Sequence, residues 1–313
     1  MQIVRKLQTV DEVDFFLRET IQIGSYLQDP LNQSFLPDKK TVDEKIHFLV
    51  NRIVSAEKSD SESFQNNTLK CPNKRFPDCR SEDARKKLYD DISVQLLSEP
   101  HLKNDDQLRQ GSGGMLPTSG KLLSQRKIIF IIGSPASGKS SFATKLCDHY
   151  KGVILDSDFI KRLIPEYTGN LNGAALVHEE SKLILTKLIL PIVKKCKWNI
   201  IYPIVGSRYD EFAVLAQSFS RRGYDVSVVL TELDRIKATQ RALKRFVETG
   251  RYVSLSRILD DYSHNSILTF YKMLFYYPKY RYVVINADFP IGTAPSIIPC
   301  NKRSYSLCGI LKK

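Results

Sequence analysis

No stretch of the 313-residue sequence approaches 18 consecutive apolar residues, so no membrane-spanning helix is readable in it. The opening run Met1-Gln2-Ile3-Val4-Arg5-Lys6 leads into acidic residues instead of an apolar segment. No signal peptide is therefore expected, and a cytoplasmic address is. The six cysteines (Cys71, Cys79, Cys147, Cys196, Cys300, Cys308) are scattered. The lack of any C-x-x-C pair excludes a zinc ribbon or a dithiol redox motif, and reduced structural thiols are expected. The composition of a disordered chain is absent too: 42 % of the residues are hydrophobic, enough to bury a sizeable core. The length fits two domains, or one domain with an extension.

Charge is plentiful and unevenly placed. Residues 1–82 hold 12 of the 47 Lys and Arg and 13 of the 34 Asp and Glu, so the excess of +13 lies wholly in residues 83–313. A basic excess of this kind steers polyanions to a cleft or binds nucleic acid. The same part of the chain holds a phosphate-binding motif, for which the cleft explanation suffices, so nucleic acid is not expected as a partner.

That motif is Gly133-Ser134-Pro135-Ala136-Ser137-Gly138-Lys139-Ser140, a complete G-x-x-x-x-G-K-[ST] loop, fed by the apolar run Lys127 to Ile132 and followed by the amphipathic stretch from Ser141. The pattern arises by accident in roughly one chain in a hundred of this length. Its glycines let backbone N–H groups turn inward around a polyphosphate, and the following helix adds the positive end of its dipole. Lys139 is expected on the β- and γ-phosphates, and Ser140 on a Mg²⁺ that bridges them. ATP and Mg²⁺ are thus the expected cofactors.

Before the loop, Thr9-Val10-Asp11-Glu12 and Thr41-Val42-Asp43-Glu44 are capping boxes. The first predicts a helix burying Val13, Phe16, Leu17 and Ile21, and the second a helix burying Ile46, Leu49, Val50, Ile53 and Val54. The polar stretch Ser59 to Arg80 reads as a linker, Glu82 to Leu97 as a third helix, and Gly111 to Gly120 as a second flexible piece. After the loop, strands at Gly152–Leu155, Asn199–Val205, Val226–Leu230 and Tyr282–Ile285 alternate with helices at Ser140–Tyr150, Glu179–Lys197, Tyr209–Arg222, Arg235–Val247 and Leu259–Phe275. The expected fold is α/β, a P-loop kinase with a mainly parallel sheet flanked by helices, preceded by a small helical N-terminal domain. The boundary is set at 1–82 and 83–313.

Ligands of such sheets bind at the carboxyl ends of the strands. The strand Val153 to Leu155 ends in Asp156-Ser157-Asp158, expected one strand along from the phosphate loop. Asp158 is the candidate general base, a role compatible with capping the next helix. Asp156 supports the turn, the metal shell or the acceptor. Arg241 and Arg245 stand at i, i+4 on a predicted helix, with Arg251 after Gly250, a set suited to clamping phosphoryl oxygens.

In the order of its parts the chain resembles the zeta toxin family of P-loop kinases over about residues 125 to 285. The matching pieces are the loop 133–140, Ile154 to Asp158 with Lys161 and Pro165, the strand Trp198 to Ile201, the Gly206-Ser207-Arg208 turn, Gly223 to Val226, and the Arg245 and Gly250-Arg251 lid. The resemblance implies ATP-dependent phosphorylation of the 3′-hydroxyl of the amino sugar of UDP-N-acetylglucosamine. It assigns phosphate and Mg²⁺ to Lys139 and Ser140, with the rest of the loop and Ser141 lining the nucleotide. It makes Asp158 the base, places Arg241, Arg245 and Arg251 on the ATP side, and puts Asp156, Ser207, Arg208 and Glu180 on the acceptor. Where family members carry an acidic residue before Gly-Thr at the end of the third strand, this chain reads Tyr202-Pro203-Ile204-Val205-Gly206-Ser207. Other acceptors therefore stay open: a nucleotide, a dinucleotide cofactor or a 5′-hydroxyl polynucleotide end. So does a nucleotide-dependent binding protein without transfer.

Zeta toxins are silenced by a separate helical antitoxin. Here a near-neutral helical segment precedes the basic kinase on one chain, a layout resembling the single-chain EzeT type. Residues 1–82 are thus expected to contact the kinase cleft as a fused inhibitor, at an effective concentration of about a millimolar, or to serve as an added helical domain.

Overall fold

The computed structural model describes residues 39–102, 112–168, 172–249, 252–258, 264–288 and 295–312. The predicted helix around Val13 to Ile21, together with Gly250 and Arg251, lies outside them, as do the side chains of Ile46 and Leu49.

The organising element is a six-stranded sheet: β1 Lys127–Ile132, β2 Val153–Ile154, β3 Ile200–Ile204, β4 Asp225–Glu232, β5 Arg281–Asn286 and β6 Ser296–Pro299. The spatial order is β2-β3-β1-β4-β5-β6, with every pair parallel except β5 with β6. A parallel sheet is covered on both faces, which is why its strands read as continuous apolar runs. Ile128 to Ile132 are all buried. Phe130 lies at the centre, stacked on Tyr202 at 5.8 Å and met edge-on by Phe212 at 5.1 Å and Phe219 at 6.0 Å. Pro203 is tolerated in β3 because β2 pairs only with Ile200 and Ile201, so no N–H is needed on that side at 203.

Around the sheet lie α1 Lys39–Gln65, α2 Glu82–Ser98, α3 Lys139–Tyr150, α4 Ser157–Lys161, α5 Gly173–Leu176, α6 His178–Ile184, α7 Leu190–Cys196, α8 Tyr209–Ser220, α9 Arg235–Thr249, α10 Asn265–Tyr276 and α11 Tyr305–Lys312. Helices α6 and α7 form the single run predicted for 179–197, joined by a π turn over Leu185–Ile189. Pro191 sits in the first turn of α7, where it lacks an N–H and crowds the preceding turn; the wider π turn takes up that misfit. None of the described helices is long and apolar enough to cross a membrane.

Two expectations change. The linker predicted from Ser59 begins seven residues late, because α1 runs to Gln65 with Glu57 and Asp60 buried against the body. The stretch after residue 111 is held rather than loose over 112–118. Met115 is fully buried, its carbonyl accepts from Ile154 N at 2.9 Å, and a Cβ at Gly114 would lie 2.1 Å from Glu99 O. The C-terminal segment, for which the sequence set no expectation, packs on the body: β6 adds an antiparallel edge, Leu307, Cys308 and Leu311 are buried, and Lys145 Nζ donates to Leu311 O at 2.9 Å.

Candidate active site

Strand β1 delivers the chain into the phosphate loop, and α3 starts at Lys139 directly after it. Ala136 and Gly138 adopt left-handed backbone, φ 61° and 88°, which turns successive N–H groups to one side and forms a nest for an anion. Gly133 is obligatory because a Cβ there would stand 2.3 Å from Thr231 Oγ1 and 2.5 Å from Thr231 O. Thr231, near the end of the neighbouring β4, braces the loop: its hydroxyl meets Ser137 Oγ at 2.7 Å and Ile132 O at 3.2 Å. Lys139 Nζ folds back on the loop, donating to Gly133 O at 2.8 Å and Ser134 O at 2.7 Å. Ser134 Oγ is buried without a hydrogen-bond partner, a polar atom that a phosphate oxygen would satisfy. The loop therefore fits a nucleotide polyphosphate. Ser140 in the first turn of α3 is half-buried and Ser141 exposed.

The two aspartates stand at the carboxyl end of β2. Asp156 caps α4, accepting from Asp158 N at 2.9 Å, and Asp158 pairs with Lys161 at 2.9 Å. The expected neighbour relation is corrected here, since β3 lies between β1 and β2 and the aspartates are two strands along from the loop. The intervening strand contributes Tyr202, nearly buried, whose phenol is pushed up to about 12, first by burial and then by the charge of Asp156. It stays a neutral phenol across the physiological range.

On the far side, Arg241 Nη2 donates to Ala287 O at 3.0 Å, tying α9 to the segment after β5, and Arg245 is half-buried. Arg208 and Glu211 form an exposed i, i+3 pair at 2.8 Å at the start of α8, and Ser207 beside it is half-buried.

Glu180 is placed apart from any acceptor. Its carboxylate is fully buried and taken by Arg85 Nε at 2.5 Å and Nη2 at 2.7 Å, by Tyr89 and by Thr68 Oγ1. Arg85 also reaches Glu166 at 3.0 Å, so α2 is bolted to both segments. Burial alone would raise the Glu180 pKa, but the bonds from Arg85, Thr68 and Tyr89 outweigh it and hold the carboxyl below its ordinary value. Sequence reasoning missed this cluster, because Arg85 and Glu180 are 95 residues apart.

Helix α1 packs against α6 and the 252–258 segment. Phe64 meets the His178 ring at 5.5 Å, Arg257 stacks over Phe64 at 4.5 Å, and Asp60 pairs with Arg257 at 2.8 Å. Higher on the same face, Glu57 accepts from Tyr252, Ser254, Leu255 and Ser256, and Arg52 covers the ring of Phe246 in α9 at 4.8 Å. These contacts were hidden in a sequence read only for its apolar face, yet 50, 53, 57, 60 and 64 continue one helical stripe.

The family model for zeta toxins matches residues 119–270, from just before β1 into α10. Just under half of the chain thus carries a zeta toxin domain match. A zeta toxin domain is a P-loop kinase of toxin–antitoxin systems, and the family implies use of a nucleotide. No curated protein sequence matches the chain. Among solved structures, the PezAT chromosomal toxin–antitoxin system of Streptococcus pneumoniae is similar at 16% identity, covering 72% of this chain and 84% of that one, with a TM-score of 0.45. The AvrRxo1-ORF1:ORF2 complex is similar at 15% identity over 77% of this chain and 75% of that one, with a TM-score of 0.49. The zeta toxin match includes the phosphate loop, both aspartates and the arginines of α9, and it excludes α1 and α2.

Proposed function

We propose that the zeta toxin domain transfers the γ-phosphoryl group of ATP to the 3′-hydroxyl of the amino sugar of UDP-N-acetylglucosamine, and that the segment ending in α1 restrains it. The observation that carries the reading is the pairing of a formed phosphate loop with Asp158 beyond the same, carboxyl end of the sheet, two strands along. ATP with Mg²⁺ would be held by the loop amides, Ser134, Lys139 and Ser140, and would supply the phosphoryl group and the metal charge that offsets the negative charge of the transferring group. The chain's own groups do the rest. Asp158 takes the proton of the acceptor hydroxyl, and its ion pair with Lys161 orients it. Arg245 supplies positive charge from α9, a role the sequence also gives Arg251, and Arg241 ties α9 to the segment after β5. Asp156, Ser207, Arg208 and the Tyr202 phenol border the acceptor. Tyr202 offers a neutral donor to the sugar, although no carboxylate precedes Gly206-Ser207.

Restraint is supported by where α1 sits, against His178 and against 252–258, the segment that follows the expected lid arginine in sequence. An antitoxin-like role for this segment replaces a separate partner with an intramolecular one. The test is to incubate the full chain carrying Glu57→Ala, which cuts the contacts of α1 to 252–256 and loosens the restraint, with labelled ATP, Mg²⁺ and a panel comprising UDP-N-acetylglucosamine, free nucleotides and a 5′-hydroxyl oligonucleotide, alongside the same chain with Lys139→Ala. Transfer to the sugar nucleotide that Lys139→Ala abolishes is expected. Transfer to another acceptor reassigns the substrate, and ATP binding with no transfer to any acceptor removes the kinase reading.

A further inference from the structure

Five donors of the zeta toxin domain converge on the single carboxylate of Glu57. Tyr252 Oη at 2.5 Å, Leu255 N at 2.5 Å and Ser256 N at 3.3 Å all donate to Oε1, and Ser254 Oγ and Ser256 Oγ donate to Oε2 at 3.1 Å. A carboxylate oxygen has two lone pairs, so Oε1 is offered more hydrogen bonds than it can accept well. A phosphoryl group, with three oxygens and more charge, matches that donor set better. One helical turn on, Asp60 takes the guanidinium of Arg257 at 2.8 Å, and Lys161 lies within electrostatic reach of the same carboxylate.

The two halves of this contact fall on either side of the family match. All five donors, with Arg257 and Lys161, lie inside the zeta toxin match, whereas both carboxylates lie on α1 outside it. The Tyr252 phenol is held well above its ordinary pKa, by burial first and then by the Glu57 charge, so it remains a donor. Isolated carboxylates are costly to bury. Glu57 and Asp60 are nonetheless both buried, on a helix added to a body whose net charge is +14 beyond residue 82.

We propose that Tyr252, Ser254, Leu255, Ser256 and Arg257 form an anion subsite for a phosphate-bearing acceptor, and that Glu57 and Asp60 occupy it in cis as mimics of that phosphate. Helix α1 then blocks the kinase by competing with the acceptor, not by covering the phosphate loop. An acceptor at high concentration displaces α1 from this subsite. The proposal rests on the reading that α1 restrains the domain, but its test measures binding and no turnover.

Inorganic pyrophosphate is titrated calorimetrically into the intact chain carrying Glu57→Gln and Asp60→Asn, with the phosphate loop preloaded with a non-hydrolysable ATP analogue and Mg²⁺. At least a tenfold gain in affinity over the wild type is expected, about 1.4 kcal/mol, and adding Arg257→Gln removes it. No gain in a variant shown folded by circular dichroism overturns the proposal. A gain seen only without the ATP analogue does so too, because it places the anion on the phosphate loop. Should the double variant fail to fold, limited proteolysis of the wild type decides: pyrophosphate accelerates cleavage within α1 if it competes with Glu57, and unchanged cleavage overturns the subsite. A chain in which α1 does not inhibit still shows the pyrophosphate site, and one inhibited through another contact shows none. The two readings therefore fail separately.

Discussion

A methyl group on residue 133 would stand 2.3 Å from Thr231 Oγ1, and Thr231 is held by Ser137 and Ile132, so it cannot yield cheaply. Gly133→Ala is expected to cost about 1–3 kcal/mol, read as a lower melting temperature together with loss of nucleotide binding. Asp158→Asn leaves ATP affinity near wild type and lowers turnover about 10²–10⁴-fold if the carboxylate is the base. Turnover within about twofold of wild type removes it from that role. Arg85 makes the opposite kind of prediction, since it serves the fold. Arg85→Met strands the buried carboxylates of Glu166 and Glu180 and should destabilise the chain by about 3–5 kcal/mol in urea unfolding. The contrast explains which residues were readable in advance. The phosphate loop is contiguous, its spacing is imposed by one ligand, and eight successive residues announce it. Glu180 looks like an available acid in sequence, and only the chain returning through Thr68 and Arg85 shows that it is consumed internally.

Among the elements, the strands and helices that carry strong periodicity were readable to within a few residues. The 2-residue β2 and the edge strand β6 were the least marked. Strand β6 has only Ile297 and Ile298 between Ser296 and Pro299, too little pattern to register without the partner strand β5. The extension of α1 past Ser59 was unreadable because its buried stripe turns acidic at Glu57 and Asp60, and a polar stripe is buried only where matching donors exist. The end of α1 also carries a pH dependence. Burial, with the positive charges of Lys161, Arg257 and Lys182 against the opposing charge of Asp158, holds His178 well below its ordinary pKa, with Phe64 over its ring and Glu179 3.9 Å away. Neutral in the fold and protonated in the unfolded chain below about pH 6.5, His178 favours the folded state above that pH and loses this contribution as pH falls. A third of the side chain reaches solvent, which moderates the effect. The urea midpoint should therefore drop more between pH 7 and pH 5 in the wild type than in His178→Asn, and equal drops would exclude His178 as the source.

For the molecule as a whole, a helix with two buried acids lies against a basic body on one chain, so the proposed restraint is an intramolecular equilibrium. Hydrogen bonds to a charged group contribute about 1.5–3 kcal/mol, so Glu57→Ala in the intact chain is expected to raise turnover roughly tenfold to a hundredfold while Lys139→Ala on top of it abolishes turnover. Unchanged turnover in Glu57→Ala would locate the restraint elsewhere. The acceptor is the larger question, because the chain from Tyr202 through Val205 to Gly206-Ser207 carries no acidic side chain. The most direct measurement is to incubate the Glu57→Ala chain with ATP, Mg²⁺ and UDP-N-acetylglucosamine and to locate the new phosphate by phosphorus–proton NMR. The predicted result is a phosphomonoester on the 3′-oxygen of the amino sugar that disappears with Lys139→Ala. Lys139-dependent consumption of ATP with the sugar nucleotide returned unmodified contradicts the assignment.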